Sequence, residues 1–127
     1  MSLSEPHIVH AGLLKLVISR AGESGIIELH GELDLANAGV LEEALRKKLG
    51  DETGDVVVDM GGLTFIDSTG IALLVAAIKD DGNRTRLRFV HSQAAAVTRV
   101  LDLTGVAERL PTADGHGGDT VLNSDTR

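Results

Sequence analysis

The passage from Val56-Val57-Val58-Asp59-Met60 to the later residues Ile71, Leu74, Val75 and Ile78 leaves this chain few possible folds. The first five residues are a largely β-branched run bounded by Gly54 and by Gly61-Gly62, as expected of a central strand buried on both faces. The four apolar residues repeat at i, i+3, i+4 and i+7, a spacing that an α-helix gathers onto one side. Between them lies a short loop, Leu63-Thr64-Phe65-Ile66-Asp67-Ser68-Thr69-Gly70. Strand, loop and helix in that order mark an α/β layer.

The flanking segments extend this pattern. Leu14, Leu16 and Ile18 alternate with Lys15, Val17 and Ser19, and a turn around Ala21 to Gly25 leads to a second strand through Ile26, Ile27 and Leu29, which predicts a hairpin. Gly31-Glu32-Leu33-Asp34 precedes a helical stripe of Leu41, Ala44, Leu45, Lys48 and Leu49, with Asp34 or Asn37 as its cap and Gly50 as its stop. Glu42 with Arg46 and Glu43 with Lys47 stand in the favourable acid-first i,i+4 order, a gain of about 0.2–0.5 kcal/mol each. After the turn residues 80–83, Leu87 and Phe89 alternate with Arg86 and Arg88, so that Arg84, Arg86 and Arg88 read as a solvated strand face. A third helix starts near Ser92, carries Val97, Val100 and Leu101, and ends before Gly105, and residues 108–110 read as a last edge strand.

The domain plan is therefore a flexible N-terminal arm over 1–12, one folded unit over 13–110, and a disordered tail over 111–127 that opens at Pro111 and contains Gly115, Gly117 and Gly118. The expected fold class is α/β, a single domain with a small mixed β-sheet and interleaved α-helices whose right-handed crossovers make the later strands parallel.

Composition removes several function classes. The 127 residues are 43% hydrophobic and contain no cysteine, so disulfides, thiolate metal sites and cysteine nucleophiles are excluded, which fits a cytoplasmic protein. No apolar run approaches the roughly 20 residues of a bilayer span, and the opening residues lack a basic start followed by an apolar stretch; neither secretion nor a membrane partner is expected. Twelve basic against 19 acidic residues give a formal net charge of −7, which works against nucleic acid and favours a partner with a basic face. Phe65 and Phe89 are the only aromatic residues besides histidine, so no platform exists for stacking bases.

Chemistry concentrates in Asp67-Ser68-Thr69-Gly70. A hydroxyl between a strand and a helix N-terminus lies close to unpaired backbone N–H groups. Ser68 or Thr69 is there either as an N-cap, worth about 1 kcal/mol, or as a modified or catalytic hydroxyl. The run lacks the Gly-x-Ser-x-Gly elbow of a serine hydrolase, and its extra residue breaks the Asp-Thr/Ser-Gly loop of aspartic proteases. His7, His10, His30, His91 and His116 are scattered without metal-ligand spacing, so no metal is expected. Neither a phosphate-binding loop nor a dinucleotide fingerprint occurs, and no cofactor is expected.

Three stretches together resemble the STAS-domain anti-sigma factor antagonists, also called anti-anti-sigma factors: Gly31-Glu32-Leu33-Asp34, residues 56–70, and the Val-Thr-Arg-Val-Leu-Asp-Leu-Thr-Gly-Val run over 97–106. The resemblance spans about residues 14–110 and implies a STAS-like fold. It implies further that Ser68 is phosphorylated by a cognate anti-sigma factor, an ATP-binding serine kinase of histidine-kinase-like fold, and restored by a serine phosphatase. The unphosphorylated chain would bind the anti-sigma factor and release the sigma factor. Asp34 and Asp67 match the family's acidic positions and would aid docking, with Thr69 and Gly70 completing the partner site and Thr69 as a second hydroxyl. Such a chain is not an enzyme, and a surface open to both kinase and phosphatase implies a monomer. Two other readings stand beside it: a constitutive STAS subunit of a larger assembly, such as a lipid-transport ABC system, and a small hydrolase using Ser68 with a histidine supplied by the fold.

Overall fold

Alternating burial organises the sheet. In β2 (Leu14–Ala21) and β3 (Ser24–Leu33), Leu14, Leu16, Ile27 and Leu29 are buried, while Lys15, Ile26 and Glu28 are partly exposed. A period of two sends successive side chains to opposite faces, so one face of the sheet forms the core and the other is more open. The computed structural model describes residues 6–81 and 86–113. Among them, five strands form one sheet in the order β1-β2-β3-β4-β5. β1 (His7–Ala11), β2 and β3 run antiparallel, whereas β3, β4 (Val56–Ile66) and β5 (Leu87–Val90) run parallel.

Helix α1 (Ala38–Asp51) joins β3 to β4, and α2 (Ser68–Asp81) lies between β4 and β5. The two helices touch and so share one face of the sheet, as right-handed crossovers advancing in the same direction require. Helix α3 (Ala95–Leu103) follows β5 and packs against β4. The shared core contains Leu16, Ile27, Val58, Leu74, Phe89 and Val97, each at 0% exposure, and each such side chain contributes about 1.5–3 kcal/mol on leaving water.

Several expectations are corrected. Residues 7–11 of the supposed flexible arm are strand β1, paired with β2 from His7 against Ile18 to Ala11 against Leu14. β4 is buried on one face only: Val56, Val58 and Met60 are covered, whereas Val57 and Asp59 are partly exposed because a single helical layer covers the sheet. The supposed loop after it is strand as far as Ile66. Gly50 does not stop α1, which continues to Asp51 with Glu52 as its C-cap. The pairs Glu42–Arg46 and Glu43–Lys47 are not among the ion pairs of the described residues; Lys48 instead meets the buried Glu52 at 3.2 Å.

Arg86 is no solvated residue: its guanidinium donates to Leu49 O and Gly54 O at 3.0 Å each and to Glu52 O, closing the C-terminal end of α1. Arg84 lies outside the described residues. Ala107–Arg109 is a 3-10 turn rather than an edge strand. The edge pairing comes later, where Phe89 N donates to Pro111 O at 2.7 Å and Ala113 N to Phe89 O at 2.9 Å, so the chain just after Pro111 is held against β5. Residues 1–5 of the arm and 114–127 of the tail lie outside the described residues.

Candidate functional site

The site forms where the parallel strands β3 and β4 end. A hydrogen bond from Asp67 N to Leu33 O at 3.1 Å carries the pairing one step past β4, so the chain leaves both strands side by side. Asp67 then starts α2: its main-chain O accepts from Ile71 N at 3.0 Å and its Oδ1 accepts from Gly70 N at 3.0 Å. This is the N-cap arrangement, in which a side-chain oxygen takes an orphan donor of the first turn. The cap is thus Asp67, and neither Ser68 nor Thr69, which occupy the first two helical positions.

The second oxygen of the same carboxylate reaches across the sheet end. Asp67 Oδ2 accepts from Leu35 N at 3.1 Å, joining the loop after β3 to the start of α2. In that loop Asp34 Oδ1 accepts from Ala36 N at 3.0 Å, and Asp34 O accepts from both Asn37 N and Ala38 N. Asn37 stands at the cap position of α1 without a side-chain cap bond. Its buried amide holds the base of the loop instead: Oδ1 accepts from Asp34 N at 2.9 Å, and Nδ2 donates to Glu32 O at 3.0 Å and Ala11 O at 3.3 Å. The Asp34 and Asp67 loops are therefore fixed to each other and to β1.

Gly70 sets how close α2 comes to the sheet. A Cβ there would lie 2.7 Å from Ile66 Cγ1 and 2.9 Å from Leu33 Cγ, so only a glycine lets the first turn settle on the ends of β3 and β4. Two residues earlier in the same turn, Ser68 is exposed, and its hydroxyl makes no hydrogen bond among the described residues; Thr69 is partly exposed. The fold brings Asp34, Asp67, Ser68 and Thr69 to a single rim with Gly70 buried beneath it: acidic, locked by hydrogen bonds, with two hydroxyls at a helix N-terminus that make no hydrogen bond among the described residues, that of Ser68 on the more exposed residue.

The histidines lie elsewhere. His7 and His10 are on β1, His30 Nε2 meets Glu28 Oε1 at 3.2 Å, and His91 follows β5 with its Nε2 buried and unpartnered; His116 is outside the described residues. None is hydrogen-bonded to Ser68 among the described residues. Asn37 is legible in the sequence only as a cap of α1 and not as the clamp of the Asp34 loop, and the sequence assigns Leu35 and Phe65 no role at all. Asn37 acts through tertiary contacts, and the exposed Leu35 and Phe65 left only the signal of large apolar residues flanking polar loop positions.

The family described as "Mlab, STAS domain" matches residues 16–112. The anti-sigma-B factor antagonist of Staphylococcus epidermidis is 27% identical over 89 residues, covering 70% of this chain and 82% of that protein. Among solved structures, an anti-sigma factor antagonist from Mycobacterium paratuberculosis superposes with a TM-score of 0.70 at 24% identity, covering 78% of this chain and 84% of the other. The Bacillus anti-sigma factor antagonist SpoIIAA does so in its unphosphorylated form with a TM-score of 0.64 at 16% identity, covering 80% and 90%. In its phosphorylated form the values are 0.57, 17%, 80% and 93%. These likenesses show the fold, and the match over residues 16–112 shows the family: the chain belongs to the STAS domain family.

Proposed function

We propose that this chain is an anti-sigma factor antagonist, a non-enzymatic cytoplasmic switch protein that binds an anti-sigma factor while Ser68 is unphosphorylated and so releases the sigma factor. The anti-sigma factor is the serine kinase and brings its own ATP, and a serine phosphatase resets the switch. The observation that carries the reading is the exposed, unbonded Ser68 hydroxyl at the start of α2, held beside Asp67 on a rim that the Asp67 carboxylate locks to the Asp34 loop. The relatives named above carry the same function in their names.

The physical switch follows from the charges. Phosphorylation adds about −1.5 to −2 charge at a rim that already holds Asp34 and Asp67. Two unit charges about 6 Å apart at an effective dielectric of about 20 interact by roughly 3 kcal/mol, and each 1.4 kcal/mol changes affinity about tenfold. The helix N-terminus opposes this by roughly 0.3–1 kcal/mol in favour of the phosphate. Asp34, Asp67 and the phosphate lie on the same chain, so this repulsion strains the rim locally and leaves the fold intact, while the partner, fitted to a bare hydroxyl, must strip water from a bulky phosphate to stay docked; the interface opens and the fold stays.

The test is a pull-down from native cell extract with wild type, Ser68→Ala and Ser68→Asp in parallel, retained proteins being identified by mass. An ATP-binding kinase-type protein held by wild type and Ser68→Ala but lost with Ser68→Asp is the expected result. Retention of transporter subunits, or retention indifferent to position 68, points instead to a constitutive STAS subunit. Separately, Asp34→Ala is expected to weaken partner binding or phosphorylation; no change in either would remove Asp34 from the docking surface.

A further inference from the structure

Among the described residues, five large apolar side chains are exposed: Ile8, Leu13, Leu35, Phe65 and Leu103. Three of them stand at the Ser68 end of the sheet. Leu35, 76% exposed, offers its main-chain N–H to the Asp67 carboxylate and so sits beside the residue that precedes Ser68. Phe65, 43% exposed, is on β4 two residues before Asp67 and pairs with Glu32 on β3. Leu13, 66% exposed, lies in the turn between β1 and β2, where its carbonyl accepts from Glu32 N at 2.9 Å. The chain keeps it there by using Gly31 with φ +104, since any Cβ at that position would lie 2.1 Å from Leu13 O.

We infer that Leu35 and Phe65, together with Leu13, form the apolar anchor through which the anti-sigma factor kinase binds this chain, while a phosphate on Ser68, which would have to shed its water beneath the docked partner, is what ends the complex. The inference rests on the antagonist reading above and assigns residues that the acidic rim alone does not include.

Two arguments commit the patch to that partner. A kinase must cover Ser68 to reach its hydroxyl, and a stable interface buries about 800 Å² per partner, a disc of roughly 16 Å radius. Strands lie about 4.8 Å apart, so a disc centred on Ser68 takes in β4, β3 and the β1–β2 turn together. The second argument is one of charge. Glu32, Asp34 and Asp67 surround the apolar residues, and the whole chain carries −7, so the surface fits a partner with apolar pockets inside a basic border. Binding energy in such an interface concentrates in a few large apolar residues near its centre, where a phosphate on Ser68 has to lose its hydration to stay covered.

The experiment uses the kinase-type protein retained by wild type, purified, and measures its affinity for wild type, Leu35→Ser, Phe65→Ser and Leu103→Ser. Leu103, 80% exposed at the C-terminal end of α3, is the equally exposed control. Leu35→Ser and Phe65→Ser are expected to weaken binding about tenfold or more, with unfolding midpoints unchanged, and Leu103→Ser to bind as wild type. In a phosphorylation assay the same two variants should raise KM and leave kcat near the wild-type value. Wild-type binding that is lost on phosphorylation, together with unchanged affinity in both patch variants or an equal loss in Leu103→Ser, overturns the anchor and spares the antagonist reading. Failure of the wild-type chain to bind any such kinase overturns both.

Discussion

At the scale of single residues, the site depends on one carboxylate with two duties. Asp67 caps α2 through Gly70 N and holds the neighbouring loop through Leu35 N. Asp67→Ala removes both acceptors and is expected to cost about 1–2 kcal/mol of stability, read as a lower midpoint in urea unfolding. Asp67→Asn keeps one good acceptor and should fall between Asp67→Ala and wild type. The glycines give a sharper contrast. Gly70→Ala gains helix propensity but forces a methyl onto Ile66 and Leu33, so a net loss of about 1–3 kcal/mol is expected. Gly50→Ala, in a helix where an added Cβ meets nothing within 4 Å, should stabilise by about 0.5–1 kcal/mol. Equal effects in the two variants, measured by the same unfolding curves, would show that the tight seat of α2 on the strand ends is not what Gly70 provides.

At the scale of elements, what the sequence disclosed and what it hid have physical causes. The stripes of α1, α2 and α3 and the hairpin of β2 and β3 were legible because their buried residues recur with helical or strand period. β1 was not, since an edge strand with only partial burial of Val9 and Ala11 carries little apolar signal. Nor was the full length of β4, because Gly61-Gly62 reads as a stop, whereas Gly62 is needed inside the strand: a Cβ there would lie 2.3 Å from His30 Nδ1. The Asp67-Ser68-Thr69-Gly70 run announced the site, but its lock to the Asp34 loop joins residues 32 positions apart and no local pattern encodes it. Arg86 is the same kind of case. Its three bonds, to Leu49 O in α1, to Glu52 O at the C-cap and to Gly54 O just past it, make it the tie between that helix end and the approach to β5, and Arg86→Ala is expected to cost about 2–3 kcal/mol in urea unfolding. A loss below about 0.5 kcal/mol would mean that the helix end holds without it.

At the scale of the whole molecule, in the proposed function a chain of net charge −7 with an acidic rim meets its partner under electrostatic steering, which requires basic groups on the partner's border. Raising salt from about 50 to about 500 mM is expected to slow association by about tenfold while changing dissociation much less, as stopped-flow or surface-binding kinetics would register. An association rate indifferent to salt would assign recognition to the apolar anchor alone. The central claim is that phosphate on Ser68 ends partner binding without unfolding the domain. Its most direct measurement is the Kd of one purified preparation for the anti-sigma factor kinase before and after full phosphorylation of Ser68, the position verified by peptide mass and the fold by circular dichroism. Phosphorylation is expected to weaken the Kd at least about tenfold with an unchanged spectrum. An equal Kd in the two states would contradict it.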